Sequence, residues 1–356
     1  MEKVQICIFK KTFNYPVFIG SKILKQIGEF VDIDRYSSVN LISDNTVYGL
    51  HGKNLSIKKA NVFTFSSGES SKNLQTVKGA YEFLAEKNVD RHGLIINMGG
   101  GVVADLGGFV ASTYLRGIDF INIPTTVEAM VDASFGGKNG VNLGHYKNYV
   151  GTFNQPKAVV ADIDTLKTMP KRSFIQGFAE VIKHGLIQDK FYFFRVTKKR
   201  PNQFSQKELV EIIAESVRIK GEIVQQDERE TGLRKLLNFG HTVGHAIESQ
   251  SFKSKNPLFH GEAVAIGMVA EAKISADLGM INEKDFKIIE RAIADFGLPT
   301  RYESGVSVDE VVTLLEKDKK SQHGKIKWTL LSAIGVGDYN IQFDDKFVRE
   351  GIQYVL

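Results

Sequence analysis

The sequence has almost no cysteine, and this limits the class of protein. Cys7 is the single cysteine among 356 residues, so no disulfide can form within the chain. A disulfide-stabilised extracellular scaffold is therefore excluded, and we expect Cys7 to be a small buried hydrophobic residue in a reducing compartment. No apolar run has membrane-spanning length, and MEKVQICIFKKT carries charges where a signal peptide has its apolar stretch. These absences predict a cytoplasmic protein without a membrane partner.

A strong excess of charge of one sign is also missing. The chain has 46 basic and 41 acidic residues, and the basic ones are scattered apart from short runs such as KKRP at 198–201. Nucleic-acid binding needs clustered basic residues, so no nucleic-acid partner is expected, and a small anionic substrate fits better. A hydrophobic content of 42% and a charged content of 24% are ordinary for a globular protein. The length allows two domains.

The pattern of hydrophobic residues changes near Pro170. Before it, the short β-rich runs VNLIS, NVFTFS, GLIINM, DFINIP and AVVADI alternate with helix-like segments, which predicts a mostly parallel sheet covered by helices. After it, long patterns with apolar residues at three- and four-residue steps predict helices, interrupted by the strand-like KIKWTLLSAIG. We therefore predict an α/β domain at residues 1–170 and a mainly α-helical domain at 171–356.

Two histidines have a metal-site spacing. In NFGHTVGHAIE, His241 and His245 are four positions apart, so in a helix both project from one face. A catalytic zinc site usually takes three protein ligands, and His260 in HGEAVAIGM and Glu180 in FAEVIKHG are further candidates. The glutamate of HExxH is missing, which disfavours zinc-protease chemistry. Unconnected surface or core histidines remain the alternative.

A glycine-rich turn follows one predicted strand. GLIINMGGGVVADLGGFVA reads as a buried strand, a turn at Gly99, Gly100 and Gly101, and a helix. The free N–H groups of a helix N-terminus bind phosphate, and glycines allow its close approach. The pattern predicts a pyrophosphate site, although such a turn can also be only a tight connection.

Polar residues follow two further predicted strands. Glu69 and Lys72 lie in SGESSK, and Asp44 and Asn45 lie in SDNTV. Open α/β sheets bind ligands at the carboxyl ends of their strands, and carboxylates there can hold ribose hydroxyls. These positions favour a dinucleotide, with simple helix capping as the alternative.

At this point the chain closely resembles the 3-dehydroquinate synthase family. The strings that carry the resemblance are GGGVVADLGGFVASTYLRG, IPTT, VDASFGGKNGVN, KNYVGTFNQP, AEVIKHG, DERETGLRKLLNFGHTVGHAIE, HGEAVAIGM and DKKSQHG. The resemblance implies an N-terminal Rossmann-like NAD-binding domain, a C-terminal helical domain that binds Zn²⁺ or Co²⁺, and a homodimer. It also implies the conversion of 3-deoxy-D-arabino-heptulosonate 7-phosphate to 3-dehydroquinate and phosphate.

The resemblance also assigns residues to the site. The metal ligands would be Glu180, His241 and His260. The residues that bind NAD would be Asp44, Asn45, Ser67, Gly68, Glu69, Lys72, Gly100, Gly101, Val102, Val103, Ala104, Asp105, Thr125, Thr126, Lys138, Lys147, Thr165 and Thr168. The catalytic and substrate-binding residues would be Asp132, Lys138, Lys147, Asn148, Lys183, Lys220, Arg234, Asn238, His245, one of Lys319 and Lys320, and Arg116 from a partner subunit.

Three residues depart from the family pattern near the expected NAD site. Ala104 stands where glycine is common, Ser67 where aspartate is common, and Asn139 where threonine is usual. A methyl group at residue 104 is acceptable if φ there is negative, as it is inside a first helical turn.

The implied mechanism uses NAD transiently. Oxidation of the C5 hydroxyl acidifies the C6 proton, phosphate leaves, the hydride returns, and an internal aldol closure forms the ring. The metal would polarise the hydroxyl oxygens. Lys183 would lie on the same helix face as Glu180 and pair with substrate rather than with protein; a solvent-exposed lysine is the alternative.

Three other functions remain open at this stage. They are a related sugar phosphate cyclase of the valiolone or inosose type, a metal-dependent polyol dehydrogenase, and a scaffold protein without catalysis. A polyol dehydrogenase would form NADH in net amounts and would not need the lysines, and the intact ligand set speaks against a scaffold.

Overall fold

The computed structural model describes residues 14–55, 57, 59–144, 146–303, 305–321 and 326–356. Cys7 and the side chains of Lys319 and Lys320 lie outside this description, so the predictions made for them stay predictions.

Strands are concentrated in the first half of the described chain. They are β1 Val17–Gly20, β2 Val39–Asp44, β3 Asn61–Phe65, β4 Leu94–Gly99, β5 Asp119–Pro124, β6 Lys138–Leu143, β7 Tyr146–Phe153, β8 Val159–Asp162, β9 Trp328–Ala333 and β10 Val336–Ile341. The α-helices are α1 Ile27–Phe30, α2 Asn45–His51, α3 Leu74–Glu86, α4 Gly101–Thr113, α5 Lys171–Gln176, α6 Phe178–Gln188, α7 Lys190–Thr197, α8 Gln206–Gln226, α9 His241–Ser251, α10 His260–Asp277, α11 Glu283–Phe296, α12 Val308–Ser321 and α13 Asp345–Val355.

A six-stranded parallel sheet forms the centre of the first half. Its order is β1-β8-β5-β4-β2-β3. The chain runs from β2 outward to β3, whereas β4, β5 and β8 follow in the opposite direction, so the connection reverses between β2 and β4. Ligands of open α/β sheets bind at such a reversal, outside the carboxyl ends of the strands. The predicted α/β fold of this half is confirmed.

The second half is mainly helical, as predicted, and shares a core with the first. Val127, Met130 and Ala161 pack in one buried cluster with residues of α6, α9 and α10. The long helix expected across KRSFIQGFAEVIKHGLI is divided into α5 and α6 at Gly177. A Cβ at Gly177 would lie 2.8 Å from Val127 and 2.9 Å from the Glu128 nitrogen, so glycine permits this close approach. The boundary at residue 170 stays a prediction.

An antiparallel hairpin of β6 and β7 was not predicted. Most residues of β7 are exposed, so the alternation of polar and apolar residues that marks a strand is weak there. No helix among the described residues combines the length and apolar composition that crossing a membrane requires.

Candidate functional site

Three residues from three helices converge between the two halves. Glu180 lies in the first turn of α6, His241 is the first residue of α9, and His260 is the first residue of α10. Glu180 Oε1 lies 3.4 Å from His241 Nε2 and 3.8 Å from His260 Nε2. The structure thus brings together the three side chains that the resemblance assigns to the metal.

Glu180 has the electrostatic properties of a metal ligand. Its side chain is 1% exposed, and apart from the ion pair of Oε2 with Lys183 Nζ neither carboxylate oxygen has a hydrogen-bond partner within the described chain. A buried carboxylate without such bonds is costly unless a cation compensates it. Burial raises its pKa, but Lys183 and the two histidines outweigh burial and hold this pKa well below its usual value. The site therefore contains an ionised carboxylate that faces two imidazoles.

The two imidazoles differ in protonation. Burial and then the Lys183 charge hold the pKa of His241 well below its usual value, so this ring is neutral. For His260, burial also lowers the pKa, but the neighbouring carboxylates of Glu180 and Glu248 outweigh burial and raise the pKa to about 10. His260 therefore carries a positive charge at neutral pH, at a position where carboxylates favour a cation.

His245 completes a cluster of three rings. It lies one turn after His241, and its ring centroid is 5.1 Å from that of His241 and 5.6 Å from that of His260. Its ligand atoms lie within 4.8 Å of those of the other two histidines, so both readings of His245, as ligand and as substrate-facing group, agree with the geometry. Burial and the His260 charge lower its pKa to about 4, which keeps the ring neutral.

Lys183 is buried rather than exposed. Its side chain lies on the Glu180 face of α6, is 1% exposed, and forms an ion pair with Glu180. The solvent-exposed alternative is therefore wrong. In the described chain the nearest anion to Lys183 is the Glu180 carboxylate, and the pairing of Lys183 with substrate stays a prediction.

Glu248 belongs to the site and was missed. It lies on α9, is 5% exposed, accepts a hydrogen bond from Lys147 Nζ at 2.7 Å, and lies 3.6 Å from His260 Nδ1. Carboxylates on the outer nitrogen of a ligating histidine orient its ring. The sequence spacing could have identified Glu248 as a site residue, because it follows His245 by three positions and therefore shares its helix face.

The other predicted cations are paired with protein groups. Lys220 Nζ lies 2.8 Å from Asp132 and donates a hydrogen bond to Phe135 O at 3.2 Å. Arg234 donates to Gly136 O at 2.9 Å and to Glu228 O. The remaining pairs are Lys138 with Glu230, and Glu230 with Asn238 at 2.6 Å.

These side chains hold the loop that precedes β6. Lys138 and Lys220 are paired with carboxylates, with which an anionic substrate would have to exchange, whereas the hydrogen bonds of Arg234 go to carbonyl oxygens.

The residues assigned to NAD lie mostly at the carboxyl-end edge of the sheet. Asp44 ends β2 and Asn45 follows it, and Ser67, Gly68, Glu69 and Lys72 come after β3. The residues after β4 are Gly100, Gly101, Val102, Val103, Ala104 and Asp105. Thr125 and Thr126 come after β5, and Thr165 and Thr168 come after β8. Lys138 and Lys147 instead lie on the hairpin of β6 and β7, and the Nζ of Lys147 reaches the metal-ligand cluster through Glu248.

Two contacts connect this edge to its neighbours. Lys72 Nζ lies 2.5 Å from Asp105 Oδ2 and also bonds Asn148, which brings a residue assigned to substrate toward the NAD residues. Asp44 Oδ1 accepts hydrogen bonds from the backbone of Thr46 and from Ser67 Oγ, at 2.9 and 2.7 Å. Asp44 therefore caps the N-terminus of α2, as the alternative interpretation predicts, and its Oδ1 is occupied by hydrogen bonds within the chain.

The glycine turn is shaped for close approach. Gly100 has φ −77°, so it needs no left-handed conformation, but a Cβ there would lie 3.1 Å from Thr126 Cγ2. Ala104 lies inside α4 and is absent from the described residues with positive φ, so its methyl group is accommodated as predicted. Asn139 is buried and packs against α4, where a Cβ at Gly108 would lie 1.9 Å from its Oδ1.

Arg116 is not brought to the site within one chain. It is exposed and lies beyond the C-terminal end of α4, whereas the glycine turn precedes this 13-residue helix. At 1.5 Å per residue the helix separates them by about 20 Å. The role of Arg116 in the site of a partner subunit stays a prediction.

Family models match the chain over both halves. The N-terminal model of 3-dehydroquinate synthase matches residues 62–176, and the C-terminal model matches residues 177–321. The 3-dehydroquinate synthase of Nostoc punctiforme is 39% identical over 352 residues, which cover 96% of each chain. That of Streptococcus thermophilus is 42% identical over 334 residues, or 92% of this chain and 93% of the relative.

Solved structures of sugar phosphate cyclases are also similar to the structure of this chain. A 2-deoxy-scyllo-inosose synthase complexed with carbaglucose-6-phosphate, NAD⁺ and Co²⁺ has a TM-score of 0.84 and 26% identity, and the match covers 99% of this chain and 100% of the other. A 2-epi-5-epi-valiolone synthase from Streptomyces hygroscopicus with NAD⁺ and Zn²⁺ has a TM-score of 0.87 and 24% identity over 99% of both chains, which shows the fold alone.

Proposed function

The chain belongs to the 3-dehydroquinate synthase family, and we propose that it catalyses the reaction of this family. The reaction converts 3-deoxy-D-arabino-heptulosonate 7-phosphate to 3-dehydroquinate and phosphate, which is carbon–oxygen lyase chemistry. The observation that carries the proposal is the convergence of Glu180, His241 and His260 beside the buried Lys183.

A divalent cation fits Glu180, His241 and His260. Apart from the ion pair with Lys183, the buried Glu180 oxygens lack hydrogen-bond partners among the described residues, and one carboxylate with two imidazoles is an established donor set for zinc. When bound, the metal supplies Lewis-acid polarisation of the substrate hydroxyl oxygens. We propose Zn²⁺ or Co²⁺ for this position.

NAD fits the carboxyl-end edge of the sheet. The glycine turn at the start of α4 presents the free N–H groups of a helix N-terminus, and Thr125 Oγ1 beside it is buried without a hydrogen-bond partner within the described chain. When bound, NAD supplies a hydride acceptor that is restored within each turnover. The chain's own contribution is to place the helix N-terminus and Thr125 against the anionic ligand.

The buried cations give the site its selectivity for an acidic sugar phosphate. Lys183, Lys220 and Arg234 are each at most 3% exposed and hold their partners in fixed positions. The planar guanidinium of Arg234 suits a carboxylate or a phosphate. We propose that substrate anions compete for these cations, together with Lys138, Asn238 and the lysines at 319 and 320.

His245 is placed for proton transfer. Its pKa of about 4 leaves a free lone pair at neutral pH, and its ring lies beside both histidine ligands. We propose that it accepts or donates hydrogen bonds at the substrate hydroxyls, where proton movement is required. Association as a homodimer and a cytoplasmic location stay predictions from the sequence.

Related cyclases are the main alternative, because they share the fold and the cofactors named above. The proposal is tested by phosphate release and product identification with the heptulosonate phosphate and with a heptulose phosphate that lacks the carboxylate. We expect the first substrate to be strongly preferred. Turnover of the second at an equal rate would assign the chain to another cyclase activity.

A further inference from the structure

A buried carboxyl group on α10, whose pKa burial raises to about 8, contacts the start of α9. Glu271 is 0% exposed, and its Oε2 accepts a hydrogen bond from Gly240 N at 2.5 Å, while Oε1 accepts one from Val243 N at 3.2 Å. The first N–H groups of a helix need partners from outside it. Gly240, at the N-cap position of α9, has no side chain to supply one, so Glu271 does.

The peptide group between Phe239 and Gly240 has two partners. Its N–H is held by Glu271, and its carbonyl oxygen, Phe239 O, lies 3.2 Å from His241 Nδ1. A carbonyl only accepts, so Nδ1 must carry the proton. Nε2, which lies 3.4 Å from Glu180, is then left with its lone pair. The orientation of one peptide group therefore determines which ring nitrogen of His241 faces the metal ligands.

Close packing makes this arrangement rigid. A Cβ at Gly240 would lie 2.5 Å from Met268 Cγ and 2.9 Å from Val264 O on α10, and one at Gly244 on α9 would lie 2.9 Å from Ala263 O. The two helices that carry His241 and His260 therefore touch backbone to backbone. Little space remains for the peptide group to turn while Glu271 holds its N–H.

We propose that Glu271 is a positioning residue for the metal site, which fixes the tautomer and direction of His241 through the Phe239–Gly240 peptide group. It touches neither substrate nor metal. The inference rests on the proposed metal site, and it adds a residue that lies 30 positions from His241 in the sequence. Partners of this kind typically change metal affinity by about 10–100-fold when they are removed.

Glu271→Gln tests the inference in the full chain. The amide keeps the shape but presents an NH₂ group to one of the two N–H donors. We expect zinc affinity, measured by competition with a chromophoric chelator, to fall about 10–100-fold in a folded variant. In metal-free protein with ¹⁵N-labelled histidine, we expect His241 to be protonated at Nδ1 in the wild type and to lose this preference in the variant.

Ser275→Ala provides the matched control. Ser275 is 0% exposed on the same helix; its Oγ accepts a hydrogen bond from Leu331 N at 3.1 Å and donates one to the backbone carbonyl of Glu271 at 2.7 Å, so its removal leaves the contacts of the Glu271 carboxyl group with α9 in place. We expect this variant to lose stability but to keep its zinc affinity and the tautomer of His241. An equal loss of zinc affinity in both variants would assign the effect to general destabilisation and overturn the inference.

Two further outcomes separate the inference from the proposed function. A wild-type chain that does not bind zinc would refute the metal site, while the NMR comparison would still test the link between Glu271 and His241. A folded Glu271→Gln variant with unchanged zinc affinity and tautomer would overturn the inference alone. If Glu271→Gln does not fold, Glu271→Asp keeps the carboxylate, and weaker zinc binding is expected; failure of both to fold would show a folding role instead.

Discussion

Replacing Lys183 by methionine should change stability in a metal-dependent way. Lys183 and Glu180 are each 1% exposed and form an ion pair. Removing one partner of a buried pair costs about 3–5 kcal/mol, and because the charged His260 ring lies 3.8 Å from Glu180, the lower end of this range applies. We expect Lys183→Met to lower the free energy of unfolding of chelator-treated protein by this amount.

Zinc should reduce this loss. A cation bound by Glu180 would compensate the same carboxylate, so the difference from wild type should shrink when zinc is added, and zinc affinity should not fall. Thermal and denaturant unfolding with and without zinc measure the stability difference between the variant and the wild type. Turnover should still drop in the variant, because a cation of the site is missing. Lys199→Met is the control, since its pair with Glu208 is largely exposed and is worth at most about 1 kcal/mol. An equal loss of stability with and without zinc would refute the reasoning.

Three further predictions concern the NAD edge and the histidines. Gly101→Val should weaken NAD binding more than about tenfold in calorimetry, because it fills the approach to the helix N-terminus; unchanged affinity would argue against that placement. His260 has a pKa raised to about 10, so its contribution to stability is full below its unfolded pKa of about 6.5 and is lost as pH rises through 10. Chelator-treated protein should therefore melt at lower temperature at pH 9 than at pH 7, and a flat profile would contradict this. Glu248→Gln should lower zinc affinity about tenfold or more in a chelator competition, with the fold retained in circular dichroism.

Features encoded by local patterns could be predicted from the sequence. The strands β2, β3, β4, β5 and β8 are short apolar runs, and the helix after the glycine turn follows from that turn. Glu180, His241 and His260 were named together because family strings surround each of them, although local spacing alone connects only His241 with His245. Residue type and neighbourhood were sufficient for these assignments.

Features that depend on tertiary packing could not be predicted. Position 177 needs glycine because Val127 approaches it from another element. The pairing of Lys183 with Glu180 depends on burial, which the sequence does not show directly. Glu271 gave no signal, since its role requires α10 to pack against the start of α9.

The most direct test of the proposed function is the number of phosphate ions released per NAD. With the heptulosonate phosphate, saturating zinc and NAD below the substrate concentration, we expect many phosphates per NAD and no lasting absorbance from NADH. Withholding either NAD or metal should stop phosphate release. Accumulation of one NADH per substrate consumed, without phosphate release, would instead identify a dehydrogenase and contradict the proposed lyase function.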